Sequence, residues 1–89
     1  MRLPQPRPEI VFCEVEEGAV LLSTTDELYF SLNAVGARIW TLLPPSCETV
    51  EQVCDVLQRE HPDVTAADIR DDVVSLLADL LRERLVKAA

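Results

Sequence analysis

The sequence predicts an α+β domain in which a three-stranded antiparallel sheet is followed by three helices. Apolar residues alternate with a period of two up to residue 32, and from residue 34 onward they recur at the helical period of about 3.6. Neither an internal repeat nor a linker divides the 89 residues, and a chain of this length forms one domain. We therefore expect a single domain over residues 9–86, preceded by a flexible, proline-rich lead-in at residues 1–8.

Three segments before residue 33 have the alternation and composition of β-strands. They span residues 10–15, 19–23 and 28–32. The connections contain turn-forming residues, with Gly18 in the first and a Thr-Thr-Asp-Glu sequence in the second. Because both connections are short, the strands are predicted to form an antiparallel meander.

The second half of the chain carries the start and stop signals of three helices. The predicted helices span residues 34–43, 50–61 and 66–84. Asn33 is a suitable N-cap for the first helix, and Pro44-Pro45 ends it. Thr49 and Gln52 form a capping box for the second helix, and Thr65 opens the third. The sheet must pack against these helices, because an isolated meander is only marginally stable.

The composition favours a soluble, acidic protein. There are 16 acidic and 8 basic residues, which give a net charge of −8. An acidic surface repels phosphate groups, so we expect neither nucleic acid nor a membrane as a partner. A basic peptide would be a better partner, although solubility alone explains the same composition. No signal peptide and no membrane-spanning segment is present in the sequence, so a cytoplasmic location is expected.

The chemistry-bearing residues do not form a catalytic or metal-binding pattern. The three cysteines, Cys13, Cys47 and Cys54, lack C-x-x-C spacing, and His61 is the only histidine. Cys13 and Cys54 occupy apolar positions and are predicted to be small core residues. No phosphate-binding loop, nucleophile elbow or dinucleotide fingerprint occurs. We therefore predict no metal, no cofactor and no enzymatic activity.

The third strand has the features of an open sheet edge. Leu28, Phe30 and Leu32 share one face of it, and Tyr29 and Ser31 share the other. The strand contains no proline, lysine or glutamate, which commonly protect an edge from pairing. An unprotected edge can accept an incoming peptide as an additional strand. Alternatively, the strand is interior to the sheet or is covered by the third helix.

The third helix has an apolar arc bordered by a polar stripe. The arc includes Leu76, and the stripe is formed by Asp68, Asp72, Ser75 and Asp79. Such a helix can form one wall of a groove, in which apolar anchors of a guest peptide contact the arc and a cation contacts the stripe. A buried helix with one solvated face would show the same pattern, so the peptide-binding interpretation depends on the helix lying beside the open strand.

Two stretches resemble a known family. They are Tyr-Phe-Ser-Leu-Asn-x-x-Gly-Ala-x-Ile-Trp at 29–40 and Asp-Val-Val-Ser-Leu-Leu-Ala-Asp-Leu at 72–80, followed by Leu85-Val86. Together they are similar to the PqqD-like family, also called the RiPP precursor-peptide recognition element, and the resemblance covers about residues 8–86. The first stretch looks nearest to stand-alone lasso-peptide versions. The chain departs from the family pattern at Arg84-Leu85, where a glycine often precedes the last apolar pair, and this bears on where the third helix ends.

The resemblance implies a winged helix-turn-helix fold and a peptide-binding function. Family members bind the leader segment of a ribosomally made precursor peptide, antiparallel to the third strand and in a cleft beside the third helix. They present it to a partner such as a leader protease, a cyclase or a radical-SAM enzyme. Carried onto this sequence, the peptide-binding residues are Leu28, Tyr29, Phe30, Ser31, Leu32, Asp68, Asp72, Ser75, Leu76 and Asp79.

Two other functions are compatible with the same fold. A winged helix-turn-helix can bind DNA, but DNA readers carry arginine and lysine on the recognition helix, whereas the third helix here is rich in aspartate. The second alternative is a structural subunit that uses the open edge to form a dimer. Duplex binding at low salt would favour the first, and a dimer that a leader peptide cannot bind would favour the second.

Overall fold

The computed structural model describes residues 1–88 and contains the three predicted strands and three predicted helices. Two further short strands, at the beginning and the end of the chain, were not predicted. In chain order the elements are β1 (Gln5–Pro6), β2 (Ile10–Val15), β3 (Gly18–Ser23), β4 (Tyr29–Asn33), α1 (Ala34–Thr41), α2 (Val50–Glu60), α3 (Ala66–Arg82) and β5 (Val86–Lys87).

The main sheet is an antiparallel meander with the strand order β2-β3-β4. Phe12, Leu21 and Phe30 stand side by side across the three strands on the face that packs against the helices. Leu21 and Leu32 on this inner face are buried. No helix within residues 1–88 covers the opposite face. The predicted α+β class, with a three-stranded antiparallel sheet and three helices, is confirmed.

The helices begin where their capping residues predict. Gly36 N donates to Asn33 Oδ1 at 2.8 Å, and the predicted capping box of Thr49 and Gln52 is present. Helix α1 packs on β3 and β4, and α3 packs against α1 and α2. The most deeply buried helical side chains include Ile39, Val53, Val73 and Leu80.

The third helix ends at Arg82, two residues before its predicted end. Leu85 N donates to Leu80 O at 2.9 Å, and Arg84 N donates to Leu81 O at 3.1 Å. These are the two hydrogen bonds of a Schellman motif, in which the residue directly after the C-cap has a left-handed backbone conformation. Arg84 takes this conformation with φ of 60°. A non-glycine residue thus occupies the position that favours glycine.

The lead-in lies against the domain in the structure. Leu3 is 1% exposed, and its N–H donates to Glu48 O at 2.9 Å. Further on, Gln5 and Pro6 pair antiparallel with Lys87 and Val86 to form a second, two-stranded sheet. No local sequence pattern indicates this pairing, because the two partners are far apart in the chain.

The cysteines differ in part from their predicted positions. Cys54 packs against the core, and burial raises the pKa of its thiol. Cys47 is buried as well. Cys13, in contrast, lies half-buried on the outer face of the sheet opposite Val20, so its prediction as a core residue was wrong. Its side chain follows the alternation of β2, which directs Phe12 inward and therefore Cys13 outward.

Two kinds of feature are absent from residues 1–88. Over that part of the chain, no helix has the length and apolar character needed to cross a membrane. Within the same residues, no three His, Cys, Asp or Glu side chains come together in a way that could hold a metal ion.

Candidate functional site

Strand β4 lies at one edge of the main sheet and pairs only with β3. Ser23 N donates to Leu28 O at 2.8 Å, which fixes the alternation of hydrogen bonds along the pair. Phe30 and Leu32 must then direct their main-chain groups toward β3, whereas Tyr29 and Ser31 direct theirs toward the open side. Outside the ladder, no main-chain hydrogen bond within residues 1–88 involves Tyr29 or Ser31. The edge therefore has two free N–H donors and two free carbonyl acceptors.

The side chains of this strand divide between the core and the surface. Phe30 packs against the core and Leu32 is buried. Ser31 is exposed, and Tyr29 is 74% exposed. Leu28, which was predicted to begin the strand, precedes it and is exposed. The inward side chains therefore pack the strand on the core, and its outer edge stays accessible.

A groove of about 240 Å³ runs between α1 and α3, next to the end of β4. Four of its lining residues are site residues predicted on the third helix. Its lining consists of Asn33, Val35, Gly36, Ile39, Asp72, Ser75, Leu76 and Asp79. We call this the α1–α3 groove. Asn33 is the last residue of β4, so the open strand leads directly into it.

A smaller cavity of about 80 Å³ adjoins the groove toward the start of α3. It is lined by Val35, Leu57, His61, Val64, Ile69 and Asp72. We call it the anchor cavity. Val35 and Asp72 line both the groove and the anchor cavity, which are therefore neighbours. The cavity is largely apolar, because only His61 and Asp72 carry polar side chains among its lining residues.

The turn from β4 into α1 brings the groove close to the strand. Asn33 is the last residue of β4, and its side chain caps the N-terminus of α1. A Cβ at Gly36 would lie 3.3 Å from both Asn33 Oδ1 and Leu32 Cδ2. Glycine at this position thus lets the first turn of α1 approach the end of β4 closely.

Asp68, the remaining predicted helix residue, lies outside both the groove and the anchor cavity. Its N–H donates to Thr65 Oγ1 at 3.2 Å in the capped first turn of α3, and the residue is exposed. The polar stripe of the helix therefore enters the groove only from Asp72 onward.

The two carboxylates of the groove differ in their surroundings. Asp79 forms an ion pair with Arg82 one turn further along α3. Asp72 has no ion-pair partner within residues 1–88. Asp72, at the junction of the groove and the anchor cavity, is thus the carboxylate more available to a cation.

The strongly perturbed carboxylates lie elsewhere. The Arg38 guanidinium, which donates to Glu60, lowers the pKa of that carboxyl. Hydrogen bonds from the chain's amino terminus and, more weakly, from Arg70 lower the pKa of Glu51 to about 2. Both carboxyl groups form exposed ion pairs, Glu60 with Arg38 and Glu51 with the amino terminus. Neither of them lines the groove.

Several residues that line the groove and the anchor cavity were not predicted from the sequence. Val35, Gly36 and Ile39 come from α1, and His61 and Val64 come from the end of α2 and the loop after it. The helical period of residues 34–43 places Val35 and Ile39 on one apolar side of the first helix. The helical period identified an apolar side but gave no sign of which part of it stays open.

Comparisons with known proteins identify the same fold. The family model for coenzyme PQQ synthesis protein D (PqqD) matches residues 18–86. The solved structure of TbiB1 in complex with the TbiA(beta) leader peptide has a TM-score of 0.81 and 28% sequence identity, over 92% of this chain and 93% of that chain. A lasso peptide synthetase B1 complexed with the leader peptide has a TM-score of 0.78 and 27% identity, over 96% of each chain. No curated protein matches the chain significantly.

Proposed function

The chain belongs to the PqqD family, and from this premise we propose that it is a non-catalytic adaptor for a precursor peptide. It binds the leader segment of a ribosomally synthesised peptide by strand addition and presents it to a modifying or processing enzyme. The observation that carries the proposal is the free edge of β4, which leads directly into the α1–α3 groove. Both similar solved structures are complexes with a leader peptide.

Main-chain pairing provides the part of the binding that does not depend on sequence. A guest strand antiparallel to β4 exchanges hydrogen bonds with the free N–H and carbonyl groups of Tyr29 and Ser31. Each such bond contributes roughly 0.5–1.5 kcal/mol after exchange with water. Pairing also fixes which side chains of the guest face the groove, because alternate residues point to opposite sides of a strand.

The α1–α3 groove provides the selective part. Leu76 and Val35 offer apolar contact, and Ser75 offers a hydroxyl group. The anchor cavity, at about 80 Å³, has about half the volume of a roughly 150 Å³ cavity that holds benzene. It therefore accepts an aliphatic side chain and excludes a large aromatic one. A basic residue of the guest that lies beside this anchor pairs with Asp72.

The similar structures support a proposal for the partner enzymes. Because one similar structure is a lasso peptide synthetase B1, we place the chain in lasso-peptide biosynthesis, where a leader protease and a cyclase receive the peptide. The resemblance also includes members that serve a radical-SAM enzyme. In each case the adaptor acts in the cytoplasm, where precursor peptides are made.

A calorimetric titration tests the proposal. The full chain is titrated with the leader peptide encoded beside it and with a scrambled peptide of identical composition. We expect one peptide per chain, with a dissociation constant between about nanomolar and micromolar for the leader, and at least tenfold weaker binding of the scrambled peptide. Equal binding of the two peptides, or tight binding of duplex DNA at low salt instead, would contradict it.

A further inference from the structure

The outer face of the main sheet is apolar and exposed. Val11, Leu22 and Tyr29 stand side by side across β2, β3 and β4, at 43%, 37% and 74% exposure. Val15, further along β2, is 53% exposed. Val20, two residues before Leu22 on β3, is half-buried. We call these five residues the outer apolar face. No helix within residues 1–88 packs on it.

The turns at the two ends of this face carry acidic side chains and no basic ones. Between Arg7 and Arg38 the chain has no lysine or arginine. All six charged residues in that stretch are acidic: Glu9, Glu14, Glu16, Glu17, Asp26 and Glu27. Glu16 and Glu17 form the turn at one end of the sheet, and Asp26 and Glu27 lie in the turn at the other end. An apolar centre with an acidic border is complementary to an apolar surface bordered by lysine and arginine.

We propose that the outer apolar face is a docking surface for a second protein whose apolar contact area is bordered by basic side chains. The proposal rests on the proposed function, in which that protein is the enzyme that processes the bound peptide. A second copy of this chain does not fit, because the acidic borders of two copies would repel each other. Two strands of six residues and one of five cover only roughly 300 Å², well below the roughly 800 Å² per partner of a stable interface.

A bound peptide would complete the surface. Tyr29 belongs both to the outer apolar face and to the open edge. A guest strand beside β4 places its own alternate side chains on the same side as Tyr29, so the face is extended by one strand. The enzyme would then contact adaptor and peptide together, and it would bind the peptide-loaded adaptor more tightly than the empty one.

Paired variants test this docking surface. Val11→Thr combined with Leu22→Thr removes apolar contact from the outer face and retains β-forming residues. The matched control is Val74→Thr combined with Leu81→Thr, which changes two apolar residues of similar exposure, 38% and 41%, on α3. Leader affinity is measured by calorimetry. The rate of leader removal is then measured with purified precursor and leader protease, with the adaptor at a concentration that limits the reaction.

We expect both double variants to bind the leader within twofold of the unmodified chain. The outer-face variant should support leader removal at least tenfold more slowly, whereas the control should stay within twofold. Full processing by the outer-face variant, or an equal loss in both variants, would overturn the docking surface while leaving peptide binding intact. Failure of the unmodified chain to bind the leader would instead overturn the proposed function and, with it, this inference.

Discussion

The two edges of the main sheet both have free main-chain groups, but only one is joined to a selective groove. At the β2 edge, Thr24 N donates to Glu9 O, so Phe12 and Glu14 direct their main-chain groups outward. The depression beside that edge has a volume of about 400 Å³, larger than that of the α1–α3 groove. The residues of α1 that line it are Ala34, Ala37, Arg38 and Thr41. At the β4 edge, the groove offers Leu76, Asp72 and the anchor cavity.

The difference between the two edges is the basis for proposing peptide binding at β4 and not at β2. Glu14 on the β2 edge disfavours pairing with another strand, whereas Tyr29 and Ser31 carry no charge. An edge alone would bind any extended chain weakly. Selectivity requires a neighbouring surface that contacts alternate side chains, and in this molecule α3 provides it only beside β4.

Proline substitutions compare the two edges directly and have the largest expected effect. Ser31→Pro removes an outward N–H without removing a hydrogen bond of the sheet. We expect the leader to bind at least tenfold more weakly, because one hydrogen bond is lost and the ring hinders pairing. Glu14→Pro makes the matched change on β2 and should leave affinity within twofold. Both are measured by calorimetry, with thermal melting as the control for folding, and a larger effect at Glu14 would reverse the assignment of the edges.

Leucine truncation tests the apolar floor of the groove. Leu76 is half-buried in the free chain, and a peptide would bury it further. Leu76→Ala should weaken leader binding by about five- to tenfold, from the loss of part of the roughly 1.5–3 kcal/mol that a fully buried leucine contributes. Val74→Ala, on an exposed side of the same helix, should leave the affinity unchanged. Comparable losses in the two variants would mean that α3 acts through stability rather than contact.

Charge reversal separates the two carboxylates of the groove. Asp72→Lys should weaken binding of a leader that carries a basic residue by about two- to fivefold, as expected for an exposed ion pair. Asp79→Lys should have a smaller effect, because Arg82 already neutralises that carboxylate. Asp55→Lys on α2 is the control, and the melting temperatures should be nearly the same in all three. Unchanged affinity in the Asp72 variant would exclude a role for its charge.

The smallest effect concerns a position remote from both edges. Arg84 holds a left-handed backbone at the end of α3, which costs a residue with a side chain roughly 1–2 kcal/mol. Arg84→Gly should therefore raise the free energy of unfolding by about 0.5–1 kcal/mol, part of the gain being lost to the flexibility of glycine in the unfolded chain. Chemical denaturation measures the change, and leader affinity should not respond. A loss of stability would show that the arginine side chain makes a compensating contact.

The sequence predicted the local elements well because their signals are local. Alternation identified β2, β3 and β4, and the capping residues Asn33, Thr49 and Thr65 placed the starts of the helices. The β4 edge could be predicted because the strand lacks protecting residues. Ser75, Leu76 and two of the three predicted aspartates of α3 line the α1–α3 groove together, and their role in peptide binding stays a prediction.

The features that were missed depend on contacts between distant residues. The pairing of Gln5–Pro6 with Val86–Lys87 joins the two ends of the chain, and no local pattern marks it. The anchor cavity combines three helices and the loop at 61–65, so its volume depends on their packing. Helix α3 ends at Arg82, earlier than predicted. Its Schellman motif has an arginine at the position where a glycine would have indicated the end of the helix.

Amide hydrogen exchange along the two edges tests strand addition most directly. Without peptide, the N–H groups of Tyr29 and Ser31 should exchange rapidly, as should those of Phe12 and Glu14. With saturating leader peptide, exchange at Tyr29 and Ser31 should slow by at least tenfold, while exchange at Phe12 and Glu14 should not change. Protection at Phe12 and Glu14, or tight leader binding that leaves Tyr29 and Ser31 unprotected, would contradict pairing at β4.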